Sequence, residues 1–135
     1  MGLVDIFENR RKKKVLAALE SSPEKQRVCT VLNCFDMEVM NGGLCQFFVN
    51  ESRFYAPYVS ECLEIIGADE VNSAFMNFVA ENGIDLNDLS SFRSATLEEF
   101  SARYKRYPFD DFDHVYYSRP EETSVSYLTK KYLEN

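Results

Sequence analysis

The sequence predicts an all-α fold, a single domain built as an irregular array of about seven short-to-medium helices. Apolar residues recur at spacings of three and four in segment after segment, which is typical of amphipathic helices. Glycine, proline and capping residues separate these segments, and no stretch of useful length alternates as a strand would. The length of 135 residues suits one domain, because such a chain buries roughly two-thirds of its unfolded surface.

The first segment, residues 1–20, mixes apolar residues with charge and contains a basic run over residues 10–14. It is one amphipathic helix or two short ones, and Ser21-Ser22-Pro23 breaks it. An apolar face beside a basic run can indicate binding to a membrane surface. Because the apolar part is brief, we expect an edge helix with a solvated face and no membrane partner. Residues 1–20 are thus an N-terminal arm, and 21–135 one globular helical domain.

The second helix is predicted to start with Ser22 as N-cap and Pro23 as its first helical residue. Its apolar stripe follows helical spacing through Val28, Val31, Leu32, Phe35 and Val39. It should end at Asn41-Gly42-Gly43, because glycine tolerates the left-handed conformation that closes helices. A short helix over residues 44–50 follows at once.

The remaining helices are bounded by the same kinds of residue. One runs from Pro57 to a stop at Gly67, and acidic residues at 69–70 open the next, which ends at 82–83. Thr96 and Glu99 form a capping box at the start of another helix, which Pro108 ends. An acidic and aromatic segment over 109–117 precedes the final helix, which starts near Glu121.

The four cysteines, Cys29, Cys34, Cys45 and Cys62, have spacings that match no zinc motif, and His114 is the only histidine. We therefore expect buried, reduced thiols in a cytoplasmic protein, with no metal and no cofactor. Cys45 and His114 could in principle pair as nucleophile and base. The apolar neighbours of Cys45 argue against this, because a buried apolar thiol is inert.

Polar residues surround the two adjacent glycines, Gly42 and Gly43, in a stretch that is otherwise apolar. Gln46 and Asn50 are four residues apart and share a helix face. One interpretation is a ligand pocket or a partner-binding site, and the other is a network that satisfies free backbone groups at helix ends. We favour the network. The residues involved are Glu38, Asn41, Gly42, Gly43, Gln46 and Asn50.

Acidic residues dominate the body of the chain. Residues 15–135 carry ten basic and twenty acidic residues, a net charge of −10, which disfavours direct nucleic-acid binding. Acidic residues three or four apart on a helix lie about 5–6 Å apart, the order of the phosphate spacing in DNA. Such a surface could occupy the groove of a basic partner, although plain solvation is the alternative. The candidate residues are Glu61, Glu64, Asp69, Glu70, Asp85, Asp88, Glu98, Glu99, Asp110, Asp111 and Asp113.

The stretch over residues 38–50, with an acidic residue, Asn-Gly-Gly, Gln-Phe-Phe and a closing Asn, resembles the signature of the nineteen-kilodalton DNA-mimic protein family. Weaker similarities follow in order over residues 56–68, 109–117 and 127–135. The resemblance implies a helical fold, often a homodimer, with no known enzymatic chemistry. It also implies a negatively charged surface that sequesters a DNA-binding regulator. No catalytic residue can be transferred from it.

The sequence therefore predicts a non-enzymatic protein that binds a basic DNA-binding protein, or another protein, through its acidic helices. The basic run at residues 10–14 departs from a uniformly acidic surface. Two alternatives stay open: a small-ligand or enzymatic module built on the polar residues near Gly42 and Gly43, and an immunity-type interaction protein.

Overall fold

The computed structural model describes residues 2–135, and these form an all-α structure, as the sequence predicts. Short 3₁₀ turns at Glu51–Tyr55, Ser90–Phe92 and Glu121–Thr123 link some of the helices. No strand occurs within the described range, and residue 1 of the predicted arm lies outside it. The helices are α1 (Leu3–Glu20), α2 (Glu24–Val49), α3 (Ala56–Ile65), α4 (Asp69–Glu81), α5 (Leu97–Arg106), α6 (Phe109–Tyr117) and α7 (Val125–Glu134).

Helix α2 is the centre of the fold. It packs against α3, α6 and α7, while α3 packs against α4 and α4 against α6. Its residue Phe35 is fully buried, and the edge of its ring meets Phe47 at 5.0 Å and Phe75 at 5.7 Å between centroids. Such edge-to-face pairs add about 0.5–1.5 kcal/mol each beyond the burial of apolar area. The aromatic residues that the composition provides thus form the core around α2.

Helix boundaries follow the predicted signals, with small corrections. Pro23 is the N-cap of α2 rather than its first residue, and the Ser22 hydroxyl donates back to the Ala18 carbonyl at 2.9 Å. The Thr96 hydroxyl accepts from the Glu99 amide at 3.1 Å, as predicted. The Glu99 carboxylate, however, accepts from the Ala95 amide at 2.7 Å, one residue before the N-cap. The last helix starts at Val125, because residues 121–123 form a 3₁₀ turn.

Helix α1 is continuous and is held to the body by polar contacts. Glu8 is buried and forms an ion pair with buried Arg53, and Asp5 pairs with Arg93. Arg11 donates to Glu51 at 3.1 Å. The apolar residues Leu3, Val4 and Phe7, in contrast, face solvent. The sequence predicts a solvated face for α1. The first part of that face is apolar, because Asp5 and Glu8 point inward to Arg93 and Arg53.

Cys45 and Cys62 are buried, but Cys29 and Cys34 are only partly buried, since they lie outside the buried stripe of α2; all four are free thiols. Over residues 2–135, none of the helices combines the length and hydrophobicity that a bilayer crossing requires.

Candidate functional site

The adjacent glycines form a kink inside α2, which we call the double-glycine kink (Gly42 and Gly43). Gly42 has φ −154° and ψ 19°, and Gly43 has φ 79° and ψ 179°. The second conformation is accessible essentially only to glycine. The predicted end of one helix and start of another is therefore present in the backbone, without any loop between the two helical segments.

Helix α6 supplies the groups that the kink needs. The Leu44 amide donates to Asp113 Oδ1 at 2.9 Å, so a side chain 69 residues away caps the second half of α2. The Tyr117 hydroxyl donates to the Val39 carbonyl, on the other side of the kink. A kink releases backbone groups from helical hydrogen bonds, and buried groups of this kind must find other partners. Asp113 and Tyr117 therefore hold the double-glycine kink in place.

Asp113 lies in the interior, which corrects its assignment to the surface from the sequence. Its spacing predicts a place on the acidic partner surface, but only 8% of the residue is exposed. A Cβ atom on Gly43 would overlap Asp113 Oδ2, so the carboxylate fills the space left by that glycine. Burial raises the pKa of Asp113, the Leu44 amide opposes this, and the charge of Asp110 adds to it. The residue is an internal cap, which its spacing from Asp110 and Asp111 could not reveal.

Glu38 lies at the centre of a second set of hydrogen bonds around the kink. Its Oε1 accepts from Gln46 Nε2 at 3.1 Å and Asn50 Nδ2 at 3.2 Å, and Oε2 accepts from Ser52 Oγ at 3.0 Å. Ser52 is not identified from the sequence, because no spacing rule connects it to the helix. Glu38 is 6% exposed, and both of its carboxylate oxygens have donors from the chain itself.

The remaining residues of the motif fit this arrangement. A Cβ atom on Gly42 would overlap Gln46 Oε1, so glycine at this position leaves room for Gln46 to fold back toward Glu38. Asn41 is exposed and lies outside this set of hydrogen bonds. The side chains bind one another across the kink, whereas the network interpretation expected them to bind free backbone groups; those groups bond to Asp113 and Tyr117 instead.

Two clefts of the structure have other residues in their lining. One of about 280 Å³ is lined by Asp36, Met40 and Tyr117 together with residues at the start of α7. Another of about 170 Å³ is lined by residues of α4 and α6, among them Glu81 and Asp111. Neither has Glu38, Gln46 or Asn50 in its lining.

The other acidic residues predicted for partner binding are exposed. They lie in three places. The largest group is on three consecutively packed helices, α3, α4 and α6, and we call it the acidic layer; the others are at the start of α5 and in the turn before Leu89. The acidic layer comprises Glu61, Glu64, Asp69, Glu70, Asp110 and Asp111.

The acidic residues differ in whether their carboxylates bind other side chains of this protein. Glu70 pairs with Arg119, and Asp110 accepts from the Tyr104 hydroxyl. Asp88 accepts from Ser90 at 2.7 Å and has the positive charges of Lys12 and Arg93 nearby, so its pKa is lowered, chiefly by the Ser90 bonds. The turn that carries Asp85 and Asp88 therefore adjoins basic α1. Within residues 2–135, no ion pair involves Glu61, Glu64 or Asp111.

The cysteine and histidine hypothesis finds no geometric support. Cys45 is completely buried, and desolvation raises its pKa to about 12, so the thiol is protonated at neutral pH. His114, in contrast, is exposed on α6. Among the described residues, no group of three or more histidine, cysteine or carboxylate side chains is arranged to hold a metal ion.

A family model described as DMP19-like protein matches residues 20–135, a range that starts at the last residue of α1 and includes α2 to α7. No curated protein and no solved structure gives a significant match to the chain.

Proposed function

The chain belongs to the DMP19-like protein family, and from this premise we propose that it is a non-enzymatic module that binds a basic DNA-binding protein in place of DNA. The family suggests a DNA mimic. The observation that supports this function for the present chain is the acidic layer, whose carboxylates are exposed on three packed helices. Asp113 is excluded from the proposed contact surface because it is buried.

The placement of charges favours the acidic layer over the turn with Asp85 and Asp88 as the contact surface for a basic partner. Glu61 and Glu64 are three residues apart on α3, which brings their side chains within about 5–6 Å. Their charges have no ion-pair partner within the described part of the chain. The turn with Asp85 and Asp88, in contrast, lies beside Lys12. A basic partner would therefore be attracted first to α3, α4 and α6.

The test is capture of basic proteins by the immobilised full chain, followed by elution with increasing salt. A mimic should release its partner steeply above about 0.1 M ionic strength, where charges are screened over roughly 10 Å. Retention that is indifferent to salt would contradict the proposal, as would the absence of any DNA-binding protein among those captured.

Two double variants locate the contact surface. Glu61→Gln with Glu64→Gln removes two charges from the acidic layer, and Asp85→Asn with Asp88→Asn removes two charges beside α1. We expect the first variant to capture much less partner and the second to retain most of its capture, because Asp88 has Lys12 and Arg93 nearby, whereas Glu61 and Glu64 form no ion pair with a described residue. Equal losses would assign binding to overall charge rather than to the acidic layer.

A further inference from the structure

The outward face of α1 combines apolar and basic residues in one stripe. Leu3, Phe7, Arg10 and Lys14 are separated by four, three and four residues, so they follow one another along one side of the helix. The first two are 70% and 52% exposed, and Val4 beside them is 64% exposed. These large apolar side chains project into solvent at the start of α1. Ion pairs on the opposite side of the helix hold it to the body of the protein.

The same docking removes negative charge from this face. Asp5 pairs with half-buried Arg93, and Glu8 pairs with buried Arg53, so both acidic residues of the first two turns point toward the body. Arg10, Lys13 and Lys14 are exposed and form no ion pair among residues 2–135. The outer surface is therefore apolar in its first two turns and cationic in the next two, on a chain that is otherwise acidic.

We propose that α1 binds the surface of an anionic lipid bilayer, with Leu3, Val4 and Phe7 at the boundary between headgroups and acyl chains. Arg10, Lys13 and Lys14 would then lie against the lipid phosphates. Stable peripheral binding usually needs two signals, an apolar anchor and a basic patch, and α1 provides both. This departs from the expectation of no membrane partner, because the inward pairing of Asp5 and Glu8 is not visible in the sequence.

A bilayer fits this face better than other anionic partners. Nucleic acid would satisfy the three cations but would leave Leu3, Val4 and Phe7 in water. An anionic bilayer surface accommodates both kinds of side chain, because the apolar residues can enter the acyl boundary while the cations stay at the lipid phosphates. Repulsion from the acidic body is screened beyond roughly 8–10 Å at physiological ionic strength, and α1 lies between that body and the membrane in this orientation.

The chain contains no tryptophan, so one substitution gives an unambiguous insertion probe. Phe7→Trp places the only indole in the proposed anchor, and Leu97→Trp places it at an apolar site on α5 that is 85% exposed. We expect the emission of the Phe7→Trp chain to shift to the blue with vesicles of phosphatidylcholine and phosphatidylserine, and not with phosphatidylcholine alone. The Leu97→Trp chain should show no shift with either.

Charge reversal tests the basic part of the face. Arg10→Glu with Lys14→Glu should weaken binding to the anionic vesicles by at least ~25-fold, from roughly fivefold for each lost cation. Lys105→Glu with Arg106→Glu makes the same change in net charge on α5 and should leave binding nearly intact. The proposal is overturned if the anionic vesicles bind neither tryptophan variant, if both shift alike, or if duplex DNA binds α1 in their place.

Discussion

Gly43 and Asp113 lie next to each other at the double-glycine kink, and each requires the residue type found at the other position. The kink leaves the Leu44 amide pointing at α6, where the Asp113 carboxylate accepts its hydrogen bond. That carboxylate fits only because residue 43 has no side chain. The stretch that resembles the family signature is therefore also the place where two helices far apart in sequence are joined.

Gly43→Ala should lower the free energy of unfolding by about 3 kcal/mol. The backbone conformation alone costs about 1–3 kcal/mol for any other residue, and the new methyl group would meet Asp113 Oδ2. Gly83→Ala is the control, since Gly83 also has positive φ but a methyl group there would have no neighbouring atom within 4 Å; its cost should be about 1–2 kcal/mol. Urea denaturation measures both, and equal losses would mean that Asp113 does not restrict position 43.

Substitution of Asp113 should change how stability depends on pH. Because burial raises its pKa in the folded state, the unfolded chain loses this proton first as pH rises, and the native state loses stability across the interval between the two pKa values. Asp113→Asn keeps an acceptor for Leu44 and has no charge to bury. We therefore expect its stability relative to the wild type to increase from acid to neutral pH, as measured by urea unfolding across that range.

Asp113→Ala separates the hydrogen bond from the charge. It leaves the Leu44 amide without its acceptor, which should cost about 1–3 kcal/mol at every pH. If Asp113→Asn lost as much stability as Asp113→Ala at neutral pH, the account of a costly buried charge would be contradicted.

At the scale of single residues, the sequence identifies the polar residues near the kink but only part of their relations. Gln46 and Asn50 share a helix face, so helical spacing predicts that both can reach one acceptor. That this acceptor is Glu38 depends on the kink between them. Ser52 and Asp113 join the kink through tertiary contacts, for which local spacing gives no signal. The prediction that Asp113 lies on the surface is wrong for that reason.

Helix α1 shows how an element can be predicted correctly and still be oriented by contacts that the sequence does not reveal. Its helical pattern is clear. The pairs that orient it, however, join Glu8 to Arg53 and Asp5 to Arg93, across 45 and 88 residues. Helix stops at glycine and proline are predictable because they depend on local backbone conformation, whereas the facing of α1 depends on partners distant in the chain.

The buried ion pair between Glu8 and Arg53 should control how easily α1 separates from the body of the protein. Glu8→Gln leaves the buried Arg53 charge without its carboxylate, and breaking a buried pair in this way costs about 3–5 kcal/mol. Glu51→Gln breaks the half-exposed pair with Arg11 and should cost about 0–1 kcal/mol. We expect hydrogen exchange to show faster exchange of α1 amides in the first variant, with α2 less affected. Unchanged α1 protection in Glu8→Gln would contradict ionic docking.

The whole molecule separates its charges. The acidic layer lies on α3, α4 and α6, while four exposed cations lie close together on α1 and others lie on α5 and α7. Helix α1 lies outside the range that matches the family, except for its last residue. We infer that residues 21–135 provide partner binding and that residues 1–20 act as a separate element. This division predicts that changes to α1 leave capture of a basic protein unaltered, so the two proposals can fail independently.

Competition with duplex DNA distinguishes DNA mimicry from other kinds of protein binding. A captured basic protein should be released from the immobilised chain by duplex DNA at constant ionic strength, because a DNA mimic and DNA occupy the same groove. Glu61→Gln with Glu64→Gln should weaken capture, so that less DNA is needed for release. Formation of a ternary complex, with the partner bound to DNA and to this chain together, would contradict DNA mimicry.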